Sequence, residues 1–130
     1  MEHLLRLVEQ HGLRLVERRG SSRGGFEPAT STIRIDPGMS TRATCSVLAH
    51  ELGHAVLGHV PTSDHALRDR QEHRADEWAA RLLIDARSYA AAEQLRGTHA
   101  ASLAFELGVT IEIVHAYQRL LRRGAVSLVE

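Results

Sequence analysis

"LAHELGHAVLGH", residues 48–59, carries His50, His54 and His59 among mostly apolar or small residues, with Glu51 beside the first histidine. Polar rings and a carboxylate on such a helix need partners, because a polar group removed from water without one is strongly disfavoured. His50-Glu51-Leu52-Gly53-His54 fits the pattern H-E-x-x-H. Residues four apart on a helix lie about 40° apart around the axis and about 6 Å apart along it, so both imidazoles can converge on one cation. Glu51 falls about 60° from His54, beside the cation rather than on it. There it can hold a water molecule and take its proton, as metal-assisted hydrolysis requires.

A chain with this His and Glu content produces H-E-x-x-H by chance in roughly one case in twenty, so the motif needs support from elsewhere. "EHRADEWAA", residues 72–80, supplies it. Glu72 and Asp76 are four apart and share a helix face, which suits a carboxylate ligand with a second carboxylate behind it. The competing readings are an exposed carboxylate at Glu72 and an ion pair of Asp76 with Arg74 or Arg81. His65, in the segment between the helices, stays open as another third ligand. His59 falls on the side of the helix opposite His50 and is expected to interact with the helix C-terminus, leaving the metal unaffected by its replacement. His73 and Glu77 turn away from the ligand face, so Glu77 is expected in solvent. Leu57 and Val60 stand where the metzincin pattern needs Gly and His.

The 130 residues, 43% of them apolar, suit one domain over residues 1–130. It divides into a helix and small sheet (1–39), metal-binding helices (40–85) and C-terminal helices (86–130). Sixteen Arg balance sixteen acidic residues and Lys is absent, so no net basic field draws the chain to nucleic acid or a membrane surface. Cys45 is a single cysteine, read as a small buried hydrophobe. No apolar run approaches a membrane span, and "MEHLLRLVEQHG" lacks a signal-peptide core, so a cytoplasmic location without membrane association is expected.

Leu4, Leu5, Leu7 and Val8 predict a short first helix ended by Gly12. "LRLVERR" (13–19) and two strands in "GGFEPATSTIRID" (24–36), turning at Pro28 and Ala29, predict a short antiparallel sheet. The central helix runs from a Ser or Thr cap near Ser40 to about Gly58. "PTSDHALRDRQ" (61–71) breaks the pattern before a second long helix in "EHRADEWAARLLI". Asp85, Thr98 and Thr110 are candidate caps of three more helices, with Gly97, Gly108 and Gly124 as stops. The fold class is therefore α+β: a short antiparallel sheet packed on the H-E-x-x-H helix, with further C-terminal helices.

"HAASLAFELGVTIEIVHAYQRLLRR" (99–123) also has the helix, Gly turn and helix of a helix-turn-helix. Glu112 stands at the end that would meet DNA, while Arg119, Arg122 and Arg123 come too late. Leu103, Leu107, Val109, Ile113, Val114 and Leu120 read better as packing positions, and direct nucleic-acid binding is not expected.

Residues 24–86, with "LAHELGHAVLGH" followed by "EHRADEWAARLLI", resemble the ImmA/IrrE family of small zincin-like, gluzincin-type metallopeptidases. The resemblance implies Zn2+ as cofactor, with His50, His54 and Glu72 as ligands, Glu51 as catalytic base and Asp76 as partner of a ligand histidine. It implies a cytosolic regulatory protease acting on a protein or peptide substrate, a repressor-type DNA-binding protein. Asp85 departs from the Pro common in that family. Tyr89, His99, His115 and Tyr117 are candidate oxyanion stabilisers, and "STIRID" (31–36) is a candidate edge strand for substrate. The alternative is a zinc-bound interaction or sensor module without turnover.

Overall fold

The computed structural model describes residues 1–128 as six helices and a three-stranded sheet. The central helix, α2 (Thr41–Val56), starts where Ser40 Oγ accepts a hydrogen bond from the Ala43 N–H, satisfying one of the orphan donors of the first turn. From Ser46 to Ala49, and again from Glu51 to Gly53, it is buried. A helix enclosed to this degree needs small and apolar side chains, and only polar groups with a task remain inside it. Helix α1 (Glu2–Gln10) covers one part of it, burying Leu4 and Val8.

Strands β1 (Arg14–Glu17), β2 (Gly24–Glu27) and β3 (Thr32–Ile35) cover another part, in the order β1-β3-β2. The sheet is mixed rather than antiparallel: β2 pairs antiparallel with β3 through a turn at Pro28–Thr30, but β1 pairs parallel with β3. The reason lies in burial and in one side chain. Ile33 and Ile35, 0% and 3% exposed, are the most buried strand residues, so β3 takes the centre. From the opposite face of β3, Arg34 donates to the Arg18 and Ser22 carbonyls (2.7 and 2.6 Å) and to Asp36 (2.7 Å). Those bonds pin both ends of the 18–23 loop, which carries the chain past β3 and keeps β1 and β2 apart. As the central strand, "STIRID" has no free edge; the edges are β1 and β2.

Helix α3 (His65–Leu83) begins earlier than the sequence pattern predicts, because Asp64 caps it by accepting from the Leu67 N–H. Its packing on α2 depends on Gly53. A Cβ there would lie 2.9 Å from the Ala75 carbonyl oxygen and 3.1 Å from its Cα, so only glycine admits this approach of two helix backbones. Asp85 caps α4 (Ala86–Arg96), and Gly97 ends it. His99 rather than Thr98 occupies the N-cap of α5 (Ala100–Leu107), which Gly108 closes. Thr110 heads α6 (Ile111–Arg122), which Gly124 follows.

Helices α5 and α6 meet at 106°. Leu103, Val109, Ile113, Val114 and Leu120 are buried as packing positions and Leu107 is half-buried, while α6 packs along α3. Glu77 of α3 is only 12% exposed, not in solvent as its helix angle suggests. It accepts bonds from Arg119 (3.2 Å) and Arg123 (2.7 and 2.9 Å) of the α6 end, ion pairs that a single-helix projection cannot reveal. Cys45 is half-buried against the core. Among the described residues, no single helix is long and apolar enough to cross a membrane.

Candidate metal centre

Close packing of α2 on α3 brings three donor atoms together. His50 Nε2 lies 3.0 Å from His54 Nε2 and 2.7 Å from Glu72 Oε2, and His54 Nε2 lies 3.3 Å from the same oxygen. Tetrahedral bonds of about 2.0–2.1 Å set ligand atoms about 3.3–3.4 Å apart, so small ring movements fit this triad to a zinc-sized ion. The two rings stand edge to face, with centroids 4.6 Å apart and planes at 89°. His50 and His54 are 17% and 13% exposed, whereas Glu72 is 50% exposed and opens the group to solvent.

Behind His50, Asp76 Oδ1 accepts from Nδ1 at 2.7 Å, which leaves the Nε2 lone pair for a cation. Asp76 therefore faces the site and not Arg74 or Arg81. Behind His54, the Nδ1 of His59 lies 3.0 Å from the His54 Nδ1. This placement differs from the helical projection because α2 stops at Val56. Leu57 and Gly58 (φ +70°) then reverse the chain and bring the His59 ring back to His54.

The electrostatics favour positive charge at the convergence point. Burial works against an imidazolium at His50, yet its hydrogen bonds to Asp76 and Glu72 outweigh burial and raise its pKa to about 10. The hydrogen bonds from His50 and His54 hold the Glu72 carboxyl far below the ordinary glutamate range, against the effect of burial. A pocket that stabilises one positive charge between a carboxylate and two imidazoles is a fitting place for a metal cation, which takes the proton's position.

Glu51 is 6% exposed and forms with His50 and His54 a group whose donor atoms all lie within 4.8 Å. Burial raises its pKa, opposed by the two histidines and reinforced by Glu72. That direction suits a carboxylate that must take up a proton. Strand β2 crosses directly above: a Cβ at Gly24 would meet Val47 Cγ1 at 2.5 Å and Glu51 Oε2 at 3.2 Å. Two cavities flank the group and share Gly24, Glu51 and Glu72 in their walls. One, about 370 Å³, extends past His54 and His59 to Thr62 and Arg68; the other, about 290 Å³, extends past His50 to Ser46, Thr110 and Glu112.

The remaining candidates lie elsewhere. His65 and His73 are exposed on α3. Tyr89 and Tyr117 are buried against each other (centroids 4.9 Å), His99 pairs with Ser102 and His115 is exposed, and none of the four lines either cavity. Two contributions had no signal in the motif spacing: Gly24 beside Glu51, and the Arg23–Glu112 pair at 3.1 Å that joins the walls of the smaller cavity.

A small α+β domain with a His/Glu group able to hold a metal ion is the class these features define. The chain belongs to the IrrE N-terminal-like domain family, a peptidase family, whose model matches residues 8–117. No match emerged among curated proteins or among solved structures.

Proposed function

We propose that the protein is a zinc-dependent metallo-endopeptidase of gluzincin type, a cytosolic regulatory protease acting on a repressor-type DNA-binding protein. The observation that carries this reading is the convergence of His50 Nε2, His54 Nε2 and Glu72 Oε2 beside a buried Glu51. His50, His54 and Glu72 hold the ion, and Asp76 holds His50 in the binding tautomer. A bound zinc ion supplies Lewis-acid polarisation of the scissile carbonyl and lowers the pKa of water. Glu51 takes a proton from the attacking water as its oxygen adds to the carbonyl carbon. It then delivers that proton to the departing nitrogen as the C–N bond breaks, leaving an acid and an amine. The edge strand β2 runs beside Glu51 and offers backbone groups to an extended substrate, so recognition rests on the main chain.

Glu51→Gln tests the reading, since the amide keeps the volume but cannot accept a proton at neutral pH. Zinc content and Tm should match wild type, while cleavage of a repressor-type regulator encoded beside this protein, followed by mass spectrometry, falls by roughly 10²- to 10⁴-fold. If relief of repression survives Glu51→Gln, the zinc domain acts by binding alone and the hydrolytic reading is wrong.

A further inference from the structure

We infer that His59 is a positioning residue for His54, setting its tautomer and ring orientation as Asp76 does for His50. The inference rests on the metal-centre reading above. A neutral imidazole that gives Nε2 to a cation carries its proton on Nδ1, and that N–H needs an acceptor. For His50 the acceptor is the Asp76 carboxylate at 2.7 Å. For His54 the group facing Nδ1 is another imidazole nitrogen, His59 Nδ1, at 3.0 Å.

Two ring nitrogens at that distance share one proton, so one donates and the other accepts. When His54 donates from Nδ1, its Nε2 gives up the hydrogen bond to Glu72 and offers a lone pair to the ion instead, and His59 carries its proton on Nε2. The reverse arrangement puts the His54 proton on Nε2, inside the cluster where a metal ion belongs. Occupancy of the triad therefore requires His59 as acceptor. Unlike Asp76, His59 in this state adds no negative charge to the site.

The backbone holds His59 in register for this task. Its N–H donates to the His54 carbonyl at 3.0 Å, so the same residue is engaged by main chain and ring alike. The two ring centroids lie 5.2 Å apart with planes at 66°. The following residues are tied to α3: Gln71 Nε2 donates to the Val60 carbonyl (3.2 Å) and Arg68 to that of Thr62 (3.3 Å). His59 thus sits on a strap anchored to both helices that supply the donor atoms, one of its anchors adjacent in sequence to Glu72.

The test compares His59→Ala with His59→Asn, whose side-chain oxygen can accept at the place of Nδ1. Zinc dissociation constants are read by chelator competition, and the ring tautomers of the zinc-loaded wild type by two-bond proton–nitrogen NMR. His59→Ala should weaken zinc roughly 10- to 100-fold, the range for partners of ligand histidines. His59→Asn should restore most of that loss, and His59 in wild type should appear as the Nε2–H tautomer. Wild-type affinity in His59→Ala, an Asn variant as weak as the Ala variant, or an Nδ1–H tautomer at His59 each overturns the inference alone. A wild-type protein that binds no zinc overturns the metal-centre reading and this one with it.

Discussion

Gly53 lies against the Ala75 backbone with no room for a methyl group between them, the carbonyl oxygen being 2.9 Å from where a Cβ would stand. Exchanging glycine for alanine inside a helix ordinarily stabilises it by roughly 0.5–1 kcal/mol. Here the obstacle is backbone and cannot swing aside, so overpacking of about 1–3 kcal/mol should prevail. Gly53→Ala is expected to lower Tm. It should also weaken zinc binding, because Glu72 and Asp76 flank Ala75 and move with it. Thermal denaturation and metal analysis check both; an unchanged Tm would mean that α3 retreats freely.

Purified protein is expected to hold close to one zinc per chain. His50→Ala, His54→Ala and Glu72→Ala should each lower that occupancy strongly, since each removes one of the three converging donors. His65→Ala should retain it, because that ring is exposed at the start of α3. Elemental analysis showing full zinc in Glu72→Ala and loss in His65→Ala would reverse the choice of third ligand.

Asp76→Ala should keep the fold, as the carboxylate lies outside the apolar core, and weaken zinc roughly 10- to 100-fold through loss of the 2.7 Å bond to His50. Chelator competition measures it. Wild-type affinity in this variant would reduce Asp76 to a bystander.

Glu77 makes a pH-dependent contribution. The Arg123 hydrogen bond holds its carboxyl below the ordinary value of 4.5, against burial and with help from Arg119. A depressed pKa in the folded state means stability that is present above the unfolded value and lost as pH falls through the folded one. Glu77→Gln should therefore cost about 1.5–3 kcal/mol near neutral pH, the range for hydrogen bonds to charged groups. The gap in Tm between variant and wild type should shrink as pH drops below 4.5. A gap that stays constant down to strongly acidic pH would show that the ion pair adds nothing.

The convergence of the candidate ligands was legible in the sequence to the extent that helix geometry fixes it. His50 and His54 share a face by spacing alone, and Glu72 and Asp76 repeat that spacing on α3. His59 was not, because the projection assumes a continuing helix and α2 ends at Val56. Glu77 was not, because its partners lie 42 and 46 residues away. The start of α3 leaves no mark in the sequence pattern because its first turns, from His65 to Arg70, are exposed and show no apolar period. Strand order was equally hidden: Ile33 and Ile35 face α2 in either arrangement, and the decision rests on Arg34 fastening a loop far from the hydrophobic face.

The uncovered margin of β2 bears on how the protein behaves at high concentration. A strand with one unpaired edge, proposed above to take an extended peptide, can also accept its own counterpart from a second molecule, the usual seed of aggregation. This strand spans four residues, Gly24–Glu27, and its first two lack side chains. Two copies laid edge to edge would gain only a few ladder bonds, with Phe26 as the single large side chain to bury and Glu27 charges on both. On the substrate reading proposed above, a peptide laid along β2 also meets the two cavities beside Gly24 and so has more to grip than a twin of equal length. Brevity and glycine thus leave the margin open to visitors while making self-association a poor competitor.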